Sequence, residues 1–193
     1  MKTTNVICTV LVALSTFTAK ADYSLNFVTA NGSGSNPVFD VGGSTRLNST
    51  FFGQIYAGAN AGSLAAIGSP VQFGTIGPSV DTAANGFIIG NTALATSGSL
   101  FGGSAGVYQL RAWTGASTFE AASVIAGAKI GSSTIQNITA FGGTPSAGGT
   151  PVLPPNVDLH GSFTLSTVVA VPEPATLALG LFGAAGMLFR RRK

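Results

Sequence analysis

The chain has 193 residues, of which 45% are hydrophobic and only 8% charged, with 27 glycines, one cysteine, one histidine and a formal charge of +3. A single cysteine excludes an intrachain disulfide, and one cysteine with one histidine cannot supply the usual zinc-ligand sets within a chain. Six of the nine basic residues, Lys2, Lys20, Arg190, Arg191, Arg192 and Lys193, lie near the two ends, so the positive charge gives no reason to invoke nucleic acid.

Lys2 precedes an apolar stretch, VICTVLVALSTF over residues 6–17, and Ala19-Lys20-Ala21 follows it. A positive n-region, an apolar h-region and an A-x-A site predict a signal peptide over residues 1–21, helical in its apolar part and cut after Ala21. Cys8 lies early in the apolar stretch behind Asn5, Val6 and Ile7, which argues against a lipoprotein signal.

The body, residues 22–170, is rich in Gly, Ser, Thr, Ala and Asn, with Arg46, Arg111 and Lys129 against Asp22, Asp40, Asp81, Glu120 and Asp158, a formal charge of −2. Its length suits one domain with a sizeable core. Short alternating apolar runs between Gly, Pro and Asn predict many short strands. Tyr23, Leu25 and Phe27 alternate with Ser24 and Asn26, before a loop over residues 31–37. Further strands are expected at residues 39–41, 51–56, 64–67, 71–73 and 86–90. The clearest is residues 107–113, with Tyr108, Leu110 and Ala112 on one face and Gln109 and Arg111 on the other. Ser117-Thr118-Phe119-Glu120 fits a capping box, with Ser117 as N-cap and Glu120 at N3. It predicts a helix of two or three turns ending near Gly127, a strand over residues 118–122 being the alternative. Residues 142–155, GGTPSAGGTPVLPP, read as a long loop. The last strand is expected over residues 162–169, with Phe163, Leu165, Thr167 and Val169 in phase. The fold class is therefore mainly β: a single antiparallel β-sandwich over residues 22–170 with one short helix.

Residues 171–193, VPEPATLALGLFGAAGMLFRRRK, have three parts. Pro172, Glu173 and Pro174 form a rigid tripeptide, since each proline fixes φ and removes a donor. Residues 175–189 are uncharged and apolar. As a helix they would be about 22 Å long at 1.5 Å per residue, short for a hydrocarbon core of roughly 30 Å, though snorkelling by Arg190 and local thinning can close the gap. Arg190, Arg191, Arg192 and Lys193 belong on the cytoplasmic side of a transmembrane helix over residues 175–189. A buried core helix is the competing reading, but four consecutive cations have no place in a core.

Pro-Glu-Pro, a short apolar helix and a terminal Arg cluster, in that order, resemble the PEP-CTERM sorting signal of Gram-negative bacteria. The resemblance implies recognition by exosortase, a membrane-embedded cysteine peptidase or transpeptidase, with processing near Pro172, Glu173 and Pro174. The implied route runs from an inner-membrane precursor to the cell surface or the exopolysaccharide matrix. QIYAG over residues 54–58 and QLRAWTGASTFEAA over residues 109–122 are similar to PEP-CTERM surface proteins, which implies a β-sandwich and brings no activity with it.

Gly102-Gly103-Ser104-Ala105-Gly106 matches G-x-S-x-G, and Asp158 and His160 follow in hydrolase order, but the elbow needs a strand before it and a helix after. A turn between strands is the favoured reading. Asp81 with Asn85, and Asn156 with Asp158, are weak calcium candidates, without the D-x-D-x-D-G loop. Asp81 and Glu120 are the acids a glycosidase pair would need. Tyr56, Arg111 and Trp113, with Tyr108, Gln54 and Gln109, could form a sugar-binding sheet face, whereas Trp113 and Tyr108 as core anchors is the plainer reading. The expectation is an exported protein that is not an enzyme, with no metal and no cofactor, whose partners are exosortase and exopolysaccharide. A carbohydrate-binding module and a secreted hydrolase are the alternatives.

Overall fold

The computed structural model describes residues 23–31, 34–95, 100–158 and 160–170. The predicted signal peptide with Ala19 and Ala21 lies outside these residues. So do Pro172, Glu173 and Pro174, the apolar run 175–189, and the cations Arg190 to Lys193.

The described chain is mainly β. In order its elements are β1 (Tyr23–Phe27), β2 (Ala30–Asn31), β3 (Gly34–Ser35), β4 (Val38–Phe39), β5 (Phe52–Gly58), β6 (Ala65–Gln72), β7 (Thr75–Ile76), β8 (Ser79–Val80), β9 (Ile88–Ile89) and β10 (Asn91–Ala95). Then come β11 (Gly106–Trp113), α1 (Phe119–Ala122), β12 (Lys129–Ser132), β13 (Gln136–Ile138), β14 (Gly142–Gly143), β15 (Phe163–Thr164) and β16 (Ser166–Thr167). Among the described residues no helix is long and apolar enough to cross a membrane.

The largest sheet runs β16-β12-β11-β5-β6, with β13 pairing the opposite end of β11 from β12. Its centre is β5 against β11, antiparallel from Phe52↔Trp113 to Gly58↔Val107. A three-stranded sheet, β10-β1-β14, is the second large element. Because side chains alternate across a strand, Tyr108, Leu110 and Ala112 leave one face of β11, and Ile55 and Ala57 leave the same face of β5. These join Tyr23, Leu25 and Phe27 from β1, together with Phe141, Val157 and Leu165, in one buried core. Gly53 lies on this inner face because a Cβ there would stand 2.8 Å from the Phe73 ring.

Not every pairing is antiparallel. β15 pairs parallel with β4, and β7 parallel with β9, each over two residues. The strand expected over residues 162–169 is in fact two: β15 joins β4, and β16 joins β12 in the large sheet. Leu165, between them, donates its amide to Phe39 and fills the main core. The phase also shifts, so that Val168 packs inward while Val169 is exposed. The loop expected over residues 142–155 is tied down at both ends. Gly142 and Gly143 form β14, Gly143 and Val152 exchange amide–carbonyl bonds, and Asn26 donates to the carbonyls of Pro154 and Pro155. Residues 64–67 and 71–73 fall largely on one strand, β6, rather than two.

Candidate functional site

The outer face of the β5–β11 sheet carries Phe52, Gln54 and Tyr56 from β5 and Gln109, Arg111 and Trp113 from β11, opposite each other in register. Residues 114–128 fold back over this face. The helix that results is shorter than the sequence suggests and starts one residue later. Thr118, not Ser117, is the N-cap, accepting from the Ala121 amide at 3.2 Å, and the helix is a single turn. Glu120 therefore does not close a capping box; its carboxylate turns to the sheet instead. Gly127, expected to end the helix, lies four residues beyond its C-cap, Ser123; with φ +84° it instead turns the chain towards β12.

α1 lays Phe119 and Ala122 on Trp113, with Ala116, Ala128, Ile130, Phe52 and Val168 around them in a second apolar cluster. Phe119 meets Trp113 edge-on at 6.2 Å, and Phe52 stacks on it at 6.3 Å. The Trp113 indole N–H donates to the Ala116 carbonyl at 3.0 Å. Trp113 has no exposed surface and Tyr56 is 4% exposed. Beside them Arg111 is stacked between two rings, 3.9 Å above Tyr56 and 5.0 Å from Phe119. The Tyr56 hydroxyl donates to the Glu120 carboxylate, with oxygens at 2.8 and 2.9 Å. Arg111 Nη1 approaches Glu120 Oε1 at 3.3 Å, and its Nε donates to Gln109 Oε1 at 3.0 Å. Burial first, then the hydrogen bond and charge of Glu120, pushes the Tyr56 hydroxyl up to about 12, with Arg111 acting in the opposite direction. Gln54 and Gln109 donate to the carbonyls of Gly68 and Ser133.

Tyr56, Arg111 and Trp113 thus share one face, as alternation requires, and their ring faces are covered by the protein's own Phe119, Phe52 and guanidinium. Trp113 and Tyr108 are both buried, on opposite sides of the sheet. The most exposed member of the group is Glu120, which the sequence places at the helix cap or, with Asp81, as a candidate acid; the structure instead engages it with Tyr56 and Arg111. Phe52 and Tyr56, four apart and so on one face of β5, with Trp113 in phase on β11 and a polar turn rich in small residues after it, are the signal for a covered face.

The three glycines of the G-x-S-x-G match each have a packing reason. A Cβ on Gly102 would stand 2.0 Å from the Gly143 carbonyl oxygen, and one on Gly106 would stand 2.6 Å from both the Gly58 oxygen and the Phe141 ring. Gly103 has φ +83° in the turn. Ser104 Oγ accepts from the Phe101 amide, and β11 rather than a helix follows. His160 is buried beside Phe163, its Nδ1 2.9 Å from the Val157 carbonyl oxygen and its Nε2 3.0 Å from that of Asn36. Burial lowers its pKa below the ordinary value, opposed by the two carbonyls and by the charge of Asp158. Ser104 and His160 are thus each engaged with the backbone rather than with one another. Asp81 caps the short turn Thr82–Ala84 by accepting from the Ala83 amide, while Glu120 serves Tyr56 and Arg111. Asn156 accepts from Asn26 at 3.3 Å. Among the described residues no three His, Cys, Asp or Glu side chains gather as a metal site.

The fold defines a mainly-β domain whose last strand, β16, is followed within three residues by a C-terminal segment of different character. Residues 170–193 match the family model of the PEP-CTERM protein-sorting motif. The chain therefore carries that motif at its C-terminus, and the motif implies an exported, exosortase-processed protein with a membrane-anchored precursor. No curated protein and no solved structure matches the chain.

Proposed function

We propose that residues 1–21 are a signal peptide, residues 22–170 a single extracellular β-sandwich domain, and residues 171–193 a sorting segment with a transmembrane helix at 175–189. Exosortase processes the precursor near Pro172, Glu173 and Pro174, and the mature domain serves a non-catalytic structural role at the cell surface or in the exopolysaccharide matrix. The observation that carries this reading is the sorting motif at residues 170–193. The structural role is supported by the outer sheet face, where the groups suited to chemistry or sugar stacking are engaged by the domain's own side chains and carbonyls.

The terminal cations hold the C-terminus in the cytoplasm during export, because translocating them opposes the positive-inside preference. Mass spectrometry of the surface-localised protein, from cells with and without active exosortase, tests the proposal. The expected mature form ends near Glu173 only when the enzyme is active. A mature form that still ends in Arg190, Arg191, Arg192 and Lys193 in cells with active exosortase would make the tail a plain anchor.

A carbohydrate-binding role is the second reading. It is favoured by one observation: Glu120 and Arg111 reach the surface of the same face, with side chains 62% and 23% exposed. Pull-down on polysaccharide separates the two, since loss of binding in Arg111→Ala with the fold intact would support the binding module.

A further inference from the structure

Among the described residues, Val168 is the last with a backbone bond to the domain. Its amide donates to the Ala128 carbonyl at 2.7 Å, its carbonyl accepts from the Gly127 amide at 2.9 Å, and its side chain packs in the Trp113 cluster. One residue on, Val169 is 79% exposed. Its neighbours across these bonds belong to the turn after α1, where Val124 is 81% exposed and Ile125 42%. Ile125 is tied to the same place, its carbonyl accepting from the Ala128 amide at 3.0 Å.

No charged residue occurs from 121 to 128 or from 161 to 172. The flanking charges are paired: Glu120 with Arg111, and Lys129 with Asp40 at 2.6 Å. The bonds of Val168 to residues 127 and 128 thus bring together two segments that each carry exposed aliphatic side chains and no charge of their own.

The chain beyond Val168 limits what can cover them. Six residues separate Val168 from Ala175, where the apolar run begins. Fully extended, at about 3.5 Å per residue, seven steps reach roughly 25 Å. The headgroup layer takes roughly 6 Å of that. The remainder is less than the diameter of a domain of this size, whose radius of gyration is about 15 Å. The exit side of the domain is thereby confined close to the bilayer whenever the tail is inserted.

We propose that Val124, Ile125 and Val169 form a membrane-facing lip that rests in the outer headgroup region of the bilayer holding the precursor. The lip sets the domain's orientation over Pro172, Glu173 and Pro174 before processing. This inference rests on the sorting reading above. Apolar side chains at the headgroup level gain from removal of their surface from water, and the pairing of Glu120 with Arg111 and of Lys129 with Asp40 lowers the cost of bringing the flanking charges near the bilayer.

The test uses the full-length precursor with Cys8→Ser, in vesicles of phosphatidylethanolamine and phosphatidylglycerol containing a lipid-attached fluorescence quencher. Single cysteines carry an environment-sensitive dye at Val124→Cys, at Leu181→Cys in the apolar run, and at Val80→Cys on β8, where the native side chain is 60% exposed. Val124 is exposed enough that its replacement leaves packing unaltered; buried emission from Trp113 checks the fold, and Ile125→Cys serves as a second lip position. The expected result is strong quenching at Leu181→Cys, most of that loss also at Val124→Cys, and little at Val80→Cys. Quenching at Leu181→Cys with Val124→Cys no more quenched than Val80→Cys overturns the lip and leaves the sorting reading standing. No quenching at Leu181→Cys removes the sorting reading and the lip with it. Shielding of Val124→Cys that requires co-reconstituted exosortase assigns the surface to the enzyme and overturns the membrane contact.

Discussion

Tyr56→Phe removes one hydroxyl from the group that clamps α1 to the sheet, and its effect can be worked from the geometry. The hydroxyl donates to the Glu120 carboxylate at 2.8 and 2.9 Å from a ring that is 4% exposed. Its pKa is pushed from 10.0 up to about 12, chiefly by burial. Two pKa units set a ceiling of roughly 3 kcal/mol on the stability lost at alkaline pH, where the phenol ionises. The Glu120 side chain is 62% exposed, so solvent screens its share. Bonds to charged groups contribute about 1.5–3 kcal/mol when well shielded, and screening brings the expected loss to about 1 kcal/mol at neutral pH. The sign of the pH effect follows from a raised phenol pKa: the fold holds the proton that the unfolded chain loses first. That stabilisation is complete below pH 10 and disappears as pH rises through about 12. Urea denaturation followed by Trp113 fluorescence reports both quantities, since Trp113 is the chain's one tryptophan and lies on the same sheet face. Tyr56→Phe should unfold at lower urea at neutral pH and lose less stability than the wild type on going from pH 10 towards 12. Glu120→Gln should give a smaller loss, with the double variant showing positive coupling. An unchanged midpoint at neutral pH, or parallel curves through the alkaline range, would refute the clamp.

Three further outcomes are expected. Phe119→Ala should uncover Trp113, shifting its emission to the red and costing about 2–3 kcal/mol, below the full value for a core phenylalanine because Phe119 is only partly buried. Gly102→Ala should destabilise by about 2 kcal/mol or more, because its Cβ falls on the Gly143 carbonyl with no room to shift; a neutral result in thermal unfolding would contradict the close approach of these backbones. His160, with a folded pKa below 6.5, should cause stability to fall as pH drops below 6.5, where the unfolded chain takes up the proton first. His160→Gln should flatten that limb of the stability curve, and unchanged acid sensitivity would dissociate it from His160.

The parts of the fold legible in the sequence were those with uninterrupted alternation. Tyr23, Leu25 and Phe27, and Tyr108, Leu110 and Ala112, announce an inner face, and both triplets are in the core. The expected alternation around Gln109 and Arg111 also leads to Trp113 on the outer face. What alternation cannot indicate is a cover made by a later segment. Beyond its Thr118 cap, α1 is held by packing on Trp113 and Tyr56, so it starts at Thr118 rather than Ser117 and is a single turn. Strands β10 and β12, NTALA and KIGS, are short, with a single large aliphatic residue each, and are paired with β1 and β11. Gly142 reads as loop chemistry, yet it pairs with Ser24 in β14, and glycine is needed there because a Cβ would strike Pro154 at 2.4 Å. The sorting motif was legible because its three parts occur in fixed order, with no tertiary contact needed to recognise them.

The pairing of β16 also decides how the domain bears a pull. If the tail anchors the precursor as proposed, tension along it reaches the described domain at Val168, which is bonded to residues 127 and 128 beside β12 of the large sheet. Beyond it lie only the short contacts of Ser166 and Thr167 with Ile130 and Lys129. Such an edge can be stripped one contact at a time, like the loose end of a tape. The next obstacle is Leu165, sunk in the main core and bonded to Phe39. A steady load would therefore free a few residues of slack at modest force and then stop. The anchor would thereby gain a short extensible leash between the membrane and a domain that stays folded.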